Sequence, residues 1–130
     1  MRLYLVRHAE AAPGEPDDLR PLTVAGHEAA RALGARLAAE GVLVDAVLTS
    51  PLLRARETGA ELGRPLGVEP EPDERLAPGA TVDDVRDVVV GRGETVVVVG
   101  HQPDCGELVA ELTGGPAPPF PPAGLAVLEL

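Results

Sequence analysis

Leu3, Tyr4, Leu5 and Val6 form an unbroken apolar run near the N-terminus, and it stops abruptly at Arg7-His8. A run without polar alternation describes a strand buried on both faces. That requires a sheet covered on both sides, and so an α/β chain. Such a strand delivers the residues that follow it to the rim of the sheet, where open α/β sheets bind ligands. Taken alone, an Arg-His pair is most simply an ion-paired arginine beside a satisfied surface histidine. The rest of the chain overturns that reading.

Two further runs repeat the pattern. Val42 to Thr49 (VLVDAVLT) reads as a second buried strand and leads straight into Ser50-Pro51. Thr95 to Val99 (TVVVV) is the most strand-like segment and ends at Gly100-His101-Gln102-Pro103. Helical patterns lie between the runs. Thr23 caps the first, with Ala29, Ala30, Leu33 and Leu37 on one face and Gly41 as its stop. Ser50 as N-cap and Pro51 at the first helical position start the second, which runs to about Leu62. Its Arg54 lies one turn in and leans back over the end of the second strand; Arg56 points elsewhere and is solvated or ion-paired. Thr81 caps a third helix with Asp83 and Asp84 in its first turn and Val85, Val88 and Val89 as its apolar face. A fourth spans about Asp104 to Thr113. Glu10 to Asp18 is an exposed Pro- and acid-rich loop, and Gly67 to Pro70 is a short edge strand. Leu125 to Leu130 is a closing strand.

Strands separated by helices predict a mainly parallel sheet with right-handed crossovers, here a three-layer α/β/α sandwich. With 130 residues, no internal repeat and no linker, residues 1–130 are expected to form one domain. In such a sheet the carboxyl ends of the parallel strands share one edge. Arg7 and His8, Ser50 to Arg54, and His101 therefore converge. Two guanidiniums, two imidazoles and two helix N-termini make an anion pocket, and the planar fork of arginine suits phosphate oxygens.

That pocket stands out because the chain is acidic, with net charge −10 and only one Phe, one Tyr and no Trp. Such a surface repels nucleic acid and anionic membranes and lacks aromatics for stacking bases, so neither partner is expected. No apolar run reaches the roughly 20 residues of a membrane helix. The N-terminus has no signal-peptide pattern, and one cysteine fits a reducing compartment, so the expected location is cytoplasmic. Cysteine-phosphatase chemistry fails on spacing, since the sixth residue after Cys105 is Glu111; Cys105 reads as a packing residue. There is no P-loop and no lysine at all. No metal-ligand spacing of histidines occurs, and flanking arginines repel a dication, so neither a metal nor another cofactor is expected. His27 reads as an exposed residue.

Leu5-Val6-Arg7-His8-Ala9-Glu10 resembles the Arg-His-Gly motif of the histidine phosphatase superfamily (phosphoglycerate mutase-like), with Ala9 where glycine is usual. Arg20-Pro21-Leu22-Thr23 with Gly26, Ser50-Pro51-Leu52-Leu53-Arg54-Ala55-Arg56-Glu57-Thr58, and Val99-Gly100-His101-Gln102-Pro103 are similar to its small SixA-like branch of phosphohistidine phosphatases. The match covers nearly the whole chain in the right order. The resemblance implies that His8 is the nucleophile, that Arg7 and Arg54 clamp the phosphoryl oxygens, and that His101 donates a hydrogen bond to the charge developing there. Residues of the chain itself point the same way: guanidiniums beside His8 disfavour its cation and keep it nucleophilic.

Larger members of that family take a general acid from an inserted segment. Here the interval is short and offers Glu69, Glu71, Asp73 and Glu74, of which Glu74, before Arg75-Leu76-Ala77-Pro78, is the candidate. Each of these is individually most simply a solvated loop acid. The P–N bond of phosphohistidine needs less help than an ester, because imidazole leaves readily once protonated. The length also leaves no room for a lid, and an open pocket admits a phosphorylated side chain of another protein. The expected function is therefore a metal-independent phosphatase acting on phosphohistidine in a protein. A small phosphomonoester is the alternative substrate. A phosphate-binding regulatory module without turnover is the reading from another class.

Overall fold

The computed structural model describes residues 1–130 and contains one five-stranded sheet. Strand β1 (Arg2–Arg7) is followed by α1 (Val24–Ala39), β2 (Ala46–Thr49), α2 (Leu53–Leu66) and β3 (Pro70–Pro72). Then come α3 (Val82–Val89), β4 (Thr95–Gly100), α4 (Asp104–Thr113) and β5 (Leu125–Glu129). The spatial order is β3-β2-β4-β1-β5, parallel throughout except for β5, which runs antiparallel to β1.

The alternation of side chains explains why β1 and β4 are apolar at every position. Leu3 and Leu5 of β1 and Val96 and Val98 of β4 face one layer, with Val82, Val85, Val88 and Val89 of α3 and Cys105 and Leu108 of α4. Tyr4, Val6, Val97 and Val99 face the opposite layer, against Leu33 and Leu37 of α1 and Ala55 and Leu62 of α2. Helices α1 and α2 carry the chain from β1 through β2 to the β3 edge, and α3 and α4 carry it back across the sheet. A right-handed crossover in each direction puts the two helix pairs on opposite faces. The reversal leaves the carboxyl ends of β2, β4 and β1 side by side.

Local signals operate largely as read. The Thr23 hydroxyl accepts from Gly26 N at 2.9 Å, and Thr81 with Asp84 forms a reciprocal capping box. Gly41 takes φ +78°, a left-handed stop. Cys105 is buried and its thiol is pushed up to about 12 by burial, so it packs and does not ionise.

Five readings are corrected. β2 starts at Ala46, because Asp45 turns its carboxylate back to the Glu94 and Thr95 amides and leaves Leu43 exposed. Helix α2 begins at Leu53 and continues to Leu66, and its N-cap is Leu52, with no side-chain bond. The edge strand is Pro70–Pro72, and Ala29 lies on the exposed side of α1. His27 is half-buried, with its ring 3.6 Å from the Glu61 carboxylate. Between α2 and α3 the chain forms only β3 and the short 3-10 turn Glu74–Leu76, with no inserted helix. No helix is long and apolar enough to cross a membrane.

Candidate active site

Backbone pairing fixes the three strand ends before any side chain is considered. His8 N donates to Gly100 O at 2.9 Å, Ser50 N to Val99 O at 3.0 Å, and Ala123 N to His8 O at 3.2 Å. His8 and His101 are thereby brought together, with ring centroids 5.2 Å apart. Ala9, where the resemblance expects glycine, has no left-handed backbone; it is wholly buried and packs with Leu22 and Ala30. Its amide donates to Thr58 Oγ1 at 2.9 Å, and Thr58 Oγ1 donates to Arg54 O at 2.7 Å. The end of β1 is therefore tied to the turn of α2 that carries Arg54.

His8 Nδ1 lies 2.7 Å from Ala9 O. A carbonyl can only accept, so Nδ1 carries the ring proton and Nε2 keeps its lone pair. The His8 pKa lies below its usual value, mainly through burial, with Arg54, Arg7 and Arg20 adding and the bond to Ala9 opposing. His101 is depressed to about 4, again by burial first and then by His8 and Arg54. Both rings are neutral at pH 7.

Arg7 Nη1 donates to Phe120 O at 2.9 Å, which anchors the guanidinium, while its Nε is enclosed without any partner. Arg54 is buried; its Nη1 donates to Asp17 O at 2.9 Å and its Nη2 to Asp17 Oδ2 at 3.2 Å. Arg20 Nη1 holds the other carboxylate oxygen at 3.1 Å. Asp17 is held below the usual carboxylate range, chiefly by its hydrogen bond to Arg20 and also by Arg54, and so stays anionic. His101 Nε2 lies 2.7 Å from Ser50 Oγ, and Leu52 N donates to the same oxygen at 3.2 Å.

The four residues singled out from strand ends thus stand together. Glu74 is exposed on the 3-10 turn after β3, at the same carboxyl edge of the sheet, with no ion pair and no side-chain hydrogen bond. Arg56 is exposed. Sequence reasoning missed Asp17, which sits in an acidic loop without periodicity, and mistook the role of Ser50, whose hydroxyl serves the histidine. No three His, Cys, Asp or Glu side chains converge as metal ligands.

A free imidazole nitrogen beside two guanidiniums, at the carboxyl edge of a covered parallel sheet, defines a phosphoryl-transfer protein. The chain belongs to the histidine phosphatase superfamily (branch 1), whose family description matches residues 3–78, and it is a phosphatase of that kind. Phosphohistidine phosphatase SixA of Escherichia coli is 35% identical over 128 residues, spanning 92% of this chain and 79% of that protein. The solved structure of the protein histidine phosphatase SixA complexed with tungstate matches with TM-score 0.91 and 33% identity, covering 100% of this chain and 88% of that one. A mycobacterial glucosyl-3-phosphoglycerate phosphatase shares the fold at 20% identity, with TM-score 0.74, across 98% of this chain and 89% of its own.

Titration follows from the burial of the two rings. A histidine whose folded pKa lies below the unfolded value leaves the unfolded chain binding more protons in between, so stability is full above pH 6.5. It is lost progressively as pH falls from 6.5 toward about 4, the His101 value. Urea unfolding between pH 7.5 and 4.5 is expected to show this decline. The NMR titration of His8 is expected to have its midpoint below 6.5; a midpoint at or above that value contradicts the buried, arginine-flanked environment.

Proposed function

We propose that the protein removes the phosphoryl group from phosphohistidine in another protein, by way of a phosphohistidine of its own at His8. The observation that carries this is the fixed protonation of His8: the Nδ1 proton is committed to Ala9 O, and Nε2 is free beside Arg7, Arg54 and His101. In the first step Nε2 attacks phosphorus in line and the P–N bond to the substrate breaks; the substrate imidazole, already protonated on its other ring nitrogen, takes the bonding electron pair and departs neutral. Arg7 and Arg54 hold the equatorial oxygens, and His101 donates to the charge that builds there. In the second step water attacks phosphorus, orthophosphate leaves, and His8 is restored. No metal takes part.

The choice of phosphohistidine over an ester is supported by what surrounds the pocket. Asp17 is anionic and already bonded to two arginines, and Glu74 is solvated, so no sequestered proton donor faces a leaving group. An alkoxide needs such a donor, an effect of about 100-fold or more in rate, whereas a protonated imidazole does not. The missing inserted helix leaves the strand ends open to a side chain presented by a folded partner.

Turnover of a phosphohistidine-bearing phosphotransfer protein, compared with para-nitrophenyl phosphate in the presence of EDTA, tests the proposal. Fast loss of the phosphoramidate and slow ester cleavage are expected. The reverse order moves the assignment to a small-molecule phosphatase. Binding of orthophosphate without turnover of either compound supports a regulatory module. Glu74→Gln is expected to change phosphohistidine turnover by less than about threefold, because imidazole needs no strong acid; a loss of about 100-fold on that substrate makes Glu74 the acid and removes the argument from leaving group.

A further inference from the structure

We propose that Ser50 is a positioning residue that fixes the ring tautomer of His101, so that a neutral histidine presents its Nδ1 proton to the phosphoryl group. The proposal rests on the reading of the pocket as a phosphoryl site, and it accounts for how His101 acts there without being charged.

His101 Nε2 and Ser50 Oγ are 2.7 Å apart, and both residues are buried, Ser50 completely. A hydroxyl offers one proton and two lone pairs. The Leu52 amide uses one lone pair at 3.2 Å. The neighbouring Thr49 hydroxyl donates to Ser50 O, not to Oγ, and no other acceptor within the protein takes the Ser50 proton. If His101 Nε2 carried hydrogen, it would occupy the second lone pair and leave the Ser50 proton buried without a partner, an arrangement that folded proteins avoid. If Nε2 is bare, Ser50 donates to it and every group is satisfied. The imidazole proton then resides on Nδ1, which has no partner within the protein and, unlike Arg7 Nε, is not sealed in.

The consequence for the reaction is direct. A neutral imidazole has one N–H, and its position decides whether His101 donates to an oxygen or confronts it with a lone pair. Ser50 makes it a donor. The same serine holds the Ser50–Leu52 turn ahead of α2, which explains why it does not cap that helix.

Long-range nitrogen–proton NMR correlations of His101 in the free protein test the inference. The Nδ1–H tautomer is expected in the wild type. Ser50→Ala is expected to fold, to mix the tautomers, and to lower kcat by about 10-fold, a part of the roughly 100- to 1,000-fold cost of losing a transition-state donor outright, with KM nearly unchanged. Ser50→Cys, a weaker donor of similar size, is expected to fall in between. An Nε2–H tautomer in the wild type overturns the proposal. So does a Ser50→Ala protein with unaltered tautomer and kcat. Because the spectra are read without substrate, they judge Ser50 even if the phosphohistidine assignment fails, and the wild-type spectrum suffices if the variant does not fold.

Discussion

Replacing His8 by alanine is expected to lower turnover of every substrate by about ten-thousand-fold or more, the loss seen when a nucleophile is removed from a working active site. The fold is expected to survive. The backbone at position 8 is held by Gly100 O and by Ala123 N, neither of which involves the ring, and the ring's single hydrogen bond within the protein is with its neighbour Ala9. Arg7 and Arg54 remain anchored through Phe120 O and Asp17, so the pocket still offers donors to an oxyanion. The expected variant is therefore an inactive protein that binds orthophosphate, measured by calorimetry alongside stopped assays. A variant that retains a tenth of wild-type turnover contradicts nucleophilic catalysis by His8. Arg7→Ala gives the complementary result: it removes a guanidinium that Phe120 O anchors beside His8, and it is expected to weaken oxyanion binding as well as rate.

Gly34→Ala is expected to produce the largest loss of stability among single-methyl changes in the helical layer. Gly34 lies where α1 meets α2. A Cβ there would stand 2.8 Å from Leu62 Cα and closer still to the Leu62 carbonyl oxygen. Both obstacles are backbone, so no rotamer relieves the clash and the helices must separate. Overpacking of this kind costs about 3 kcal/mol, against which alanine returns about 1 kcal/mol in helix propensity. A net loss of about 2 kcal/mol lowers the melting temperature by roughly 8 °C for a domain of this size. The strain also reaches the site, because α2 carries Arg54 and, through Thr58, holds the Ala9 amide. Thermal unfolding by circular dichroism checks it; an unchanged melting temperature means the two helices are not in such close contact.

The contrast between these two positions shows what the amino-acid sequence displays and what it hides. Arg7, His8, Arg54 and His101 were legible because a parallel sheet turns every strand end toward one edge. Doubly buried strands such as Leu3–Val6 and Val96–Val99 are also hard to mistake. The caps at Thr23 and Thr81 were legible because their partners lie three residues on. Long-range pairing was not. Val42-Leu43-Val44 has strand composition, yet Asp45 spends its carboxylate on the approach to β4 and the strand starts after it. Ser50 carries two local helix-start signals, but a histidine 51 positions away claims its hydroxyl. Asp17 belongs to a loop whose Pro-, Gly- and acid-rich run is shared by any exposed segment, and only the folded chain brings it to Arg54. Local pattern thus revealed the edge at which these side chains meet and not the contacts that hold them.

The most direct test of the account is a quenched single turnover with a phosphohistidine protein that carries a radiolabelled phosphoryl group. The account predicts that label passes transiently to the enzyme in an acid-labile, base-stable form, that it maps to the peptide containing His8, and that it never appears in His8→Ala. Direct release of labelled orthophosphate, with no label on the enzyme at any time and full activity in His8→Ala, would contradict it.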